Sequence, residues 1–475
     1  MRIFAQKNFT TMRTRLPKLL ILLAVVGLIA APALFSASGE VRRADAALAS
    51  GRPLEAAASL ERASVLLFWR ADLTERAGRA AFAGRDFASA ARLLASAKSL
   101  SVDGWRDLGA AYYALGRFDD SADALQRGLE IYGPQTALLR QLALARNAQG
   151  DFEGELAALQ EFIALDGSDA AVRHRAGLLL AVYDPNEALA ELTVSAQLDA
   201  QYDPEFQTMR SALNLAFIET DEARRLTVIG RGLGLVQEWT LAREAFQRAV
   251  RADGENAEAW AWLGEADQHL GQDGSEALAR AASLDPFSAS VRALYGLYWK
   301  RQDDPQRALV QFQWAAAIEP NNPAYLASLG DAYAFAGELP SALAAYKQAA
   351  DLAPTEAAYW RLLAAFCAQY HFAETETGIP AAQRALKLAP DEAASYDLLG
   401  WMYLAAGRHD EAEKNLLEAL RLDPDDAAAH LHLGTTYLEL NRMDEARQQL
   451  SLAQSLDADG ADGEAAQKLL ALYFP

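Results

Sequence analysis

Apolar and small residues recur three and four residues apart over most of the chain, and turn-forming residues separate the periodic segments. One stretch has a fixed set of such positions: Leu326, Leu329, Gly330, Tyr333, Ala342, Tyr346, Ala349 and Pro354. The same spacing returns in Tyr396, Leu399, Gly400, Tyr403, Ala412, Leu416, Ala419 and Pro424. Each set predicts two short packed helices, and no alternating strand pattern of any length appears. The chain is therefore predicted to be all-α.

The residue types in this pattern suit two helices in close contact. Gly330 is small enough for the second helix to approach the first, and Ala342 and Ala349 do the same from the other side. Pro354 follows the second helix and cannot continue it. A single unit cannot cover its own apolar face, so we expect successive units to stack.

The pattern repeats about eleven times, and its quality divides the chain. We predict a degenerate array over 40–203, a non-repeat helix and possible hinge over 204–222, a regular array over 223–460 and a capping helix over 461–475. The unit that begins near Ala257 is slightly short. The unit after Pro354 has about two extra residues in its turn.

These repeats resemble the tetratricopeptide repeat (TPR), a helix–turn–helix unit of about 34 residues. The resemblance covers nearly everything from residue 37 to the end. It implies a solenoid in the form of a right-handed superhelix, with a concave groove lined mainly by the first helix of each unit. It also implies that the chain binds a protein or a peptide rather than catalysing a reaction.

The charge of the chain is strongly acidic, with 64 acids against 44 bases. All five bases before residue 19 lie in a segment without acids, which leaves 39 bases against 64 acids in the remainder. This excess disfavours nucleic acid as a partner and favours a basic or amphipathic protein segment. The alternative is that the acidity only keeps a long exposed surface soluble.

The N-terminus combines a basic segment, residues 1–18, with an uncharged segment, residues 19–39. As a helix, the 21 uncharged residues would span about 31 Å, close to one hydrocarbon core. A retained transmembrane anchor would leave the basic residues in the cytoplasm and the repeats outside it. A cleaved signal peptide is the second reading, since Pro32 shortens the apolar run and small residues follow it. A buried helix of a soluble protein is the third.

Cysteine and histidine offer little chemistry in this chain. Cys367 is the only cysteine, which excludes an internal disulfide, and we expect it to be a small buried apolar residue. His430 and His432 are two residues apart, so they point to different faces of a helix and cannot share a metal ion. We predict no metal site and no cofactor.

No motif of an enzyme is readable in the repeats. Gly230, Gly232 and Gly234 follow no predicted strand and lack both the dinucleotide-binding spacing and a Walker lysine. Gly230 already serves as the small contact of its repeat. Since no stretch long enough for a catalytic domain remains, we do not expect the chain to be an enzyme.

The predicted binding surface is the concave side of the repeats. Register places seven first-helix residues there: Glu265, Lys300, Asp331, Arg361, Asp397, Trp401 and Thr435. Small residues such as Ala293 and Ala327 lie between them and leave room for a ligand. Trp401 is either a binding hot spot or a packing residue between units.

The leading hypothesis is a membrane-tethered scaffold that presents its repeats outside the cytoplasm to a protein or peptide segment. The alternative is an accessory subunit that positions an enzyme or an export complex of the cell envelope. The sequence does not identify the partner or the oligomeric state.

Overall fold

The computed structural model describes residues 34–474, and the described residues are helical with no strand. They divide into two compact units, the first ending at Leu215 and the second beginning at Ala216. This division lies within the predicted 204–222 segment. Each unit is a succession of antiparallel helix pairs.

The first unit contains α1 to α11. Their bounds are α1 (described over 34–49), α2 (Pro53–Leu66), α3 (Asp72–Ala83), α4 (Phe87–Ser96), α5 (Val102–Ala114), α6 (Phe118–Tyr132), α7 (Thr136–Gln149), α8 (Phe152–Leu165), α9 (Ala170–Tyr183), α10 (Pro185–Leu198) and, after a short 3₁₀ turn, α11 (Asp203–Ala216). α11 begins one residue before the predicted non-repeat helix and ends at the boundary of the unit.

The second unit contains α12 to α26. Their bounds are α12 (Glu222–Leu235), α13 (Trp239–Ala252), α14 (Ala257–His269), α15 (Ser275–Leu284), α16 (Ala289–Arg301), α17 (Pro305–Ile318), α18 (Pro323–Phe335), α19 (Leu339–Leu352), α20 (Ala357–Gln369), α21 (Ile379–Leu388), α22 (Ala393–Ala405), α23 (His409–Leu422), α24 (Ala427–Glu439), α25 (Met443–Leu456) and α26 (Ala461–Tyr473). α26 occupies the predicted capping position.

Side chains at the helix starts explain several of these boundaries. Asn256, Ser288 and Asn322 precede α14, α16 and α18, and the side chain of each accepts a hydrogen bond from a backbone N–H of the first turn. These bonds satisfy donors that have no partner inside the helix. The first helix of each of these repeats therefore begins at a residue fixed by local sequence.

The two helices of a repeat are in contact through small residues, as the sequence predicts. A Cβ atom added to Gly330 would lie 3.0 Å from the ring of Tyr346 on the second helix. Ala342 and Ala349 are buried in the same repeat. The predicted role of Gly230 is also confirmed, since it lies in the middle of α12 and a Cβ there would meet the Phe246 ring.

The two irregular repeats differ from their neighbours at the predicted places. In the short repeat, α15 has only 10 residues, and a Cβ on Gly274 would lie 2.1 Å from the carbonyl oxygen of Gly264. In the long repeat, the additional residues form a π-helical segment, Glu374–Gly378, between α20 and α21. His371 and Ala373 precede it in left-handed backbone conformations, with φ of 48° and 55°.

First helices of neighbouring repeats in the second unit are in direct contact. These contacts join α12 to α14, α14 to α16, α16 to α18, α18 to α20, α20 to α22, α22 to α24 and α24 to α26. Among the described residues, the second helices of neighbouring repeats have no comparable contact. The first helices therefore form the more closely packed layer, which is the concave side of this unit.

The predicted basic segment, 1–18, and most of the uncharged segment, 19–39, lie outside the described residues. Residues 34–39 belong to the described part of α1, where Ala37 is buried together with Ala44 and Ala47. α1 thus extends across the predicted boundary at residue 39 and packs as part of the first helix pair. Within 34–474, no helix has the length and the apolar character that a bilayer span needs.

Candidate functional site on the first-helix face

The concave side of the second unit carries one regular stripe of residues, which we call the first-helix face. It comprises Ala324, Ser328, Asp331 and Phe335 of α18; Ala358, Leu362, Ala365 and Gln369 of α20; Ala394, Leu398, Trp401 and Ala405 of α22; and Ala428, His432, Thr435 and Glu439 of α24. Residues three and four apart share a face of a helix, so each set forms one row along its helix. The four rows lie side by side because the helices are neighbours.

Alanine occupies the same position at the start of each row. Ala324, Ala358 and Ala394 are exposed, and Ala428 is partly exposed. Ala327, by contrast, is 5% exposed and belongs to the core, so the expectation that it lies open on the surface is wrong. The four aligned alanines leave space above the helices that larger side chains would fill.

Glu265 does not lie open on this surface but is buried between two first helices. It is 4% exposed, and its carboxylate accepts hydrogen bonds from Arg301 on α16 at 2.5 and 2.7 Å. His269 of the same helix lies 3.2 Å from the carboxylate. The carboxylate therefore connects α14 to α16, and it has no free side for a ligand.

Asp397 is also buried, and it pairs with a residue of the next repeat. Its Oδ1 lies 2.7 Å from Nδ1 of His432 on α24. Burial by itself would lower the pKa of His432, but the charge and the hydrogen bond of Asp397 outweigh burial and raise that pKa above its ordinary value. The pair thus favours a protonated imidazole between α22 and α24.

Trp401 packs on the same histidine. Its ring is stacked on the His432 ring, with centroids 4.8 Å apart and an angle of 12° between the planes. Part of the indole remains exposed. Of the two predicted roles of Trp401, the structure shows the packing contact between repeats. The exposed edge of its indole is also accessible to a ligand.

Arg361 and Asp331 also have partners within the unit. Arg361 of α20 forms an ion pair with Glu392, the residue that precedes α22. Asp331 accepts a hydrogen bond from the hydroxyl of Tyr346 on α19. Burial, together with this bond to Asp331, raises the pKa of Tyr346 above its usual range.

The remaining two predicted residues differ in their surroundings. Lys300 is exposed near the end of α16. The hydroxyl of Thr435 donates a hydrogen bond to the carbonyl of Leu431 at 2.8 Å, one turn earlier in α24. Five of the seven predicted residues therefore contact a neighbouring element of the stack, and Lys300 and Thr435 do not.

Sequence reasoning missed the partners of these residues. Arg301 follows Glu265 by 36 residues, and His432 follows Asp397 by 35, so each partner lies one repeat later. That separation was a usable signal, because a residue one repeat later lies on the neighbouring first helix. An opposite charge at this spacing could have identified Glu265 and Asp397 as paired.

The chemistry left on the face is apolar contact flanked by polar side chains. Leu362 of the α20 row is 42% exposed, and Gln369 and Glu439 are exposed at the ends of the α20 and α24 rows. Cys367 lies buried in α20, as predicted, and burial raises the pKa of its thiol to about 12. Within the described residues, no three His, Cys, Asp or Glu side chains are grouped to hold a metal ion. The face is thus suited to binding a polypeptide.

Comparison with known families gives matches in both units. One tetratricopeptide repeat model matches residues 403–473, and a second matches residues 75–136 and 298–357. No curated protein sequence matches the chain.

Three of the solved structures that the chain resembles are as follows. Yeast Tom70 is 14% identical, with 85% of this chain and 95% of that chain covered and a TM-score of 0.40. The Cut9 complex with Hcn1 is 14% identical, with 91% and 95% covered and a TM-score of 0.39. MamA of Desulfovibrio magneticus RS-1 is 22% identical, with 36% and 94% covered and a TM-score of 0.30.

The family matches coincide with stacked helix pairs whose glycine and alanine contacts are those expected from the repeat spacing. The predicted all-helical repeat fold is confirmed for the described residues. The chain contains tetratricopeptide repeats, which the family models match at residues 75–136, 298–357 and 403–473.

Proposed function

We propose that the chain is a membrane-tethered scaffold whose first-helix face binds an extended or helical segment of a protein partner. The observation that carries this proposal is the set of four aligned rows in α18 to α24. Each row begins with an alanine, and the α20 row also contains an exposed leucine, Leu362. A ligand segment can lie across neighbouring helices there and bury apolar side chains.

The ion pairs of this layer support binding because they hold the surface in one shape. Glu265 with Arg301, and Asp397 with His432, each connect two neighbouring first helices. A surface fixed before binding loses less conformational entropy when the ligand arrives. The contacts between repeats therefore hold the first helices in position, and the exposed side chains around them provide the affinity for the partner.

The acidic surplus of the chain supports a basic or amphipathic partner. The formal net charge is −20, which attracts a positively charged segment and speeds its encounter with the face. Salt weakens such long-range attraction. Capture of the partner should therefore decrease as the ionic strength rises.

The tether is the part of the uncharged segment 19–39 that precedes the described residues of α1, and five basic residues lie before it. That arrangement favours an anchor that leaves the basic residues in the cytoplasm and places the repeats outside it. Alkaline extraction of membranes and the mass of the mature N-terminus test this part. Release of an intact chain by alkali would contradict the anchor, and a shortened N-terminus would indicate cleavage.

Affinity capture from detergent-solubilised membranes tests the binding face. We expect Leu362→Glu to reduce the amount of captured partner roughly tenfold, because a charge replaces an exposed apolar side chain in the α20 row. Leu417→Glu is the matched control, since Leu417 is 48% exposed but lies on a second helix, α23. Equal losses from both variants, or no loss from either, would contradict binding at the first-helix face.

A further inference from the structure

The first helix pair has an exposed apolar end that the binding function does not use. We call it the hairpin tip, and it consists of Leu34, Phe35, Val65, Leu66, Phe68 and Trp69. Phe35 is 77% exposed, Val65 is 73% exposed and Phe68 is 69% exposed. Apolar side chains clustered in this way mark a contact with a membrane or with another protein.

Antiparallel packing of α1 and α2 brings these residues together. Nη2 of Arg62 on α2 lies 2.9 Å from the Glu40 carboxylate on α1. Since the two helices run in opposite directions, the residues before Glu40 and those after Arg62 lie at the same end of the pair. Leu34 and Phe35 therefore lie beside the segment 65–69, and the turn at Gly51 lies at the opposite end.

The turn that follows α2 holds two aromatic side chains outward. Leu67 is buried, and its backbone N–H donates to the Ala63 carbonyl at 2.9 Å. On either side of it, Leu66 and Phe68 are exposed. The Phe68 and Trp69 rings are in edge contact, with centroids 5.2 Å apart. A buried leucine thus fixes the backbone while its neighbours face solvent.

Two long basic side chains and one carboxylate lie at the rim of the hairpin tip. Nζ of Lys98 donates to the Phe68 carbonyl at 3.3 Å, and Arg70 pairs with Asp72 at 2.7 Å. Tryptophan and long basic side chains concentrate at the boundary between hydrocarbon and lipid headgroups, where the ring is partly buried and the charge stays hydrated. The composition of the tip is that of an interfacial contact.

The position of the tip in the chain selects a membrane over a protein partner. The uncharged residues 19–33 immediately precede Leu34 in the sequence. Adjacent Cα atoms are 3.8 Å apart, so a bilayer that holds residues 19–33 lies next to the tip. We propose that the hairpin tip is inserted in the interfacial layer of this bilayer and fixes the orientation of the first helix pair on the membrane. This proposal rests on the proposed tether.

The depth of a label in vesicles tests the proposal with the full-length chain. A fluorophore is attached to Phe68→Cys in a Cys367→Ala background, and the chain is reconstituted in phosphatidylcholine vesicles with brominated acyl chains. We expect the emission to fall by roughly half, since interfacial residues lie about 5–10 Å into the acyl boundary. Iodide in the buffer should have little effect on it.

Leu54→Cys in the same background is the matched control. Leu54 is 52% exposed and lies at the start of α2, so about 18 Å of helix separates it from Leu66, the last residue of α2 before the turn with Phe68. Its label should respond to iodide and not to brominated lipid. Circular dichroism of both labelled variants checks that the helices are retained.

The possible outcomes separate the tip from the tether. A chain that floats with vesicles but whose Phe68→Cys label responds to iodide keeps its tether and has no inserted tip, which overturns the proposal. A label that is shielded from both quenchers is covered by protein, which also overturns it. A chain that does not float with vesicles contradicts the tether and the tip together.

Discussion

Small residues set the distance between the two helices of a repeat, and Gly274 is one of the most constrained of them. Its hypothetical Cβ would lie 2.1 Å from the Gly264 carbonyl oxygen, a backbone atom that cannot move aside like a side chain. We expect Gly274→Ala to lower the free energy of unfolding by about 1–3 kcal/mol through overpacking. Urea titration followed by circular dichroism measures the change.

Gly254→Ala is the control for this prediction. A Cβ on Gly254 would have its nearest neighbour at 3.8 Å, which is an ordinary contact. The two glycines lie in turns of adjacent repeats but differ in the space around them. If both variants unfold at the same urea concentration as the parent chain, close packing of α14 and α15 is not what requires Gly274.

Cys367 gives a second prediction at the residue scale. The side chain is buried, and burial raises the pKa of the thiol to about 12, so almost no thiolate exists at neutral pH. We expect iodoacetamide to leave the native chain unmodified and to modify it fully in urea, as measured by mass spectrometry. The exposed cysteine of Leu54→Cys should react in the native state. Fast modification of native Cys367 would contradict the packing described for α20.

At the scale of the element, polar contacts join the first helices of neighbouring repeats. The Asp397–His432 pair joins α22 to α24, and the Trp401 ring covers the histidine from one side. Asp426 and Asp462 also contribute to its electrostatic environment. A protonated His432 therefore lies among carboxylates and holds two repeats together.

The raised pKa of His432 predicts a pH dependence of stability. A group whose pKa is higher in the folded state stabilises the fold fully below its unfolded value, 6.5 for histidine, and loses this effect as pH rises through the folded pKa. His432→Asn keeps a neutral donor near the position of Nδ1 but cannot be protonated. We expect the parent chain to melt at a higher temperature than the variant at pH 6, with a smaller difference as the pH rises.

Thermal unfolding of both chains at several pH values measures this difference. Asp397→Asn with His432→Asn serves as the control, since this double variant has neither charge of the pair. It should show no pH dependence from this contact. A constant difference between the parent chain and His432→Asn at all pH values would show that folding does not shift the pKa of His432, which would contradict the prediction.

The sequence was sufficient to predict the helices of the regular repeats, because spacing at three and four residues marks a buried helical face. Gly330, Ala342 and Tyr346 lie where that spacing requires. It was not sufficient for α1, where alanine and serine replace the usual large apolar residues. The paired states of Glu265 and Asp397 were also missed, because their partners belong to the next repeat and not to the same helix.

At the scale of the whole molecule, stability comes from contacts between neighbouring elements, so an end of the stack needs a cover. α26 has this role in the second unit. Ala466 is fully buried against Leu450 and Ala453 of α25, and α26 also contacts α24. By contrast, Leu472 on the same helix is 71% exposed. One helix thus has a docked face and a solvent face, and each can be changed separately.

Ala466→Asp should detach this cover. A charge placed in the buried contact has no partner, and its desolvation costs about 3–5 kcal/mol in the terminal repeat. We expect faster amide hydrogen exchange in α24, α25 and α26, an effect that declines toward α12 because each repeat contacts only its neighbours. Leu472→Asp, on the exposed face, should leave exchange unchanged. Uniformly faster exchange from α12 to α26 in Ala466→Asp would show that the second unit opens as one cooperative body, and the nearest-neighbour account of its stability would then be wrong.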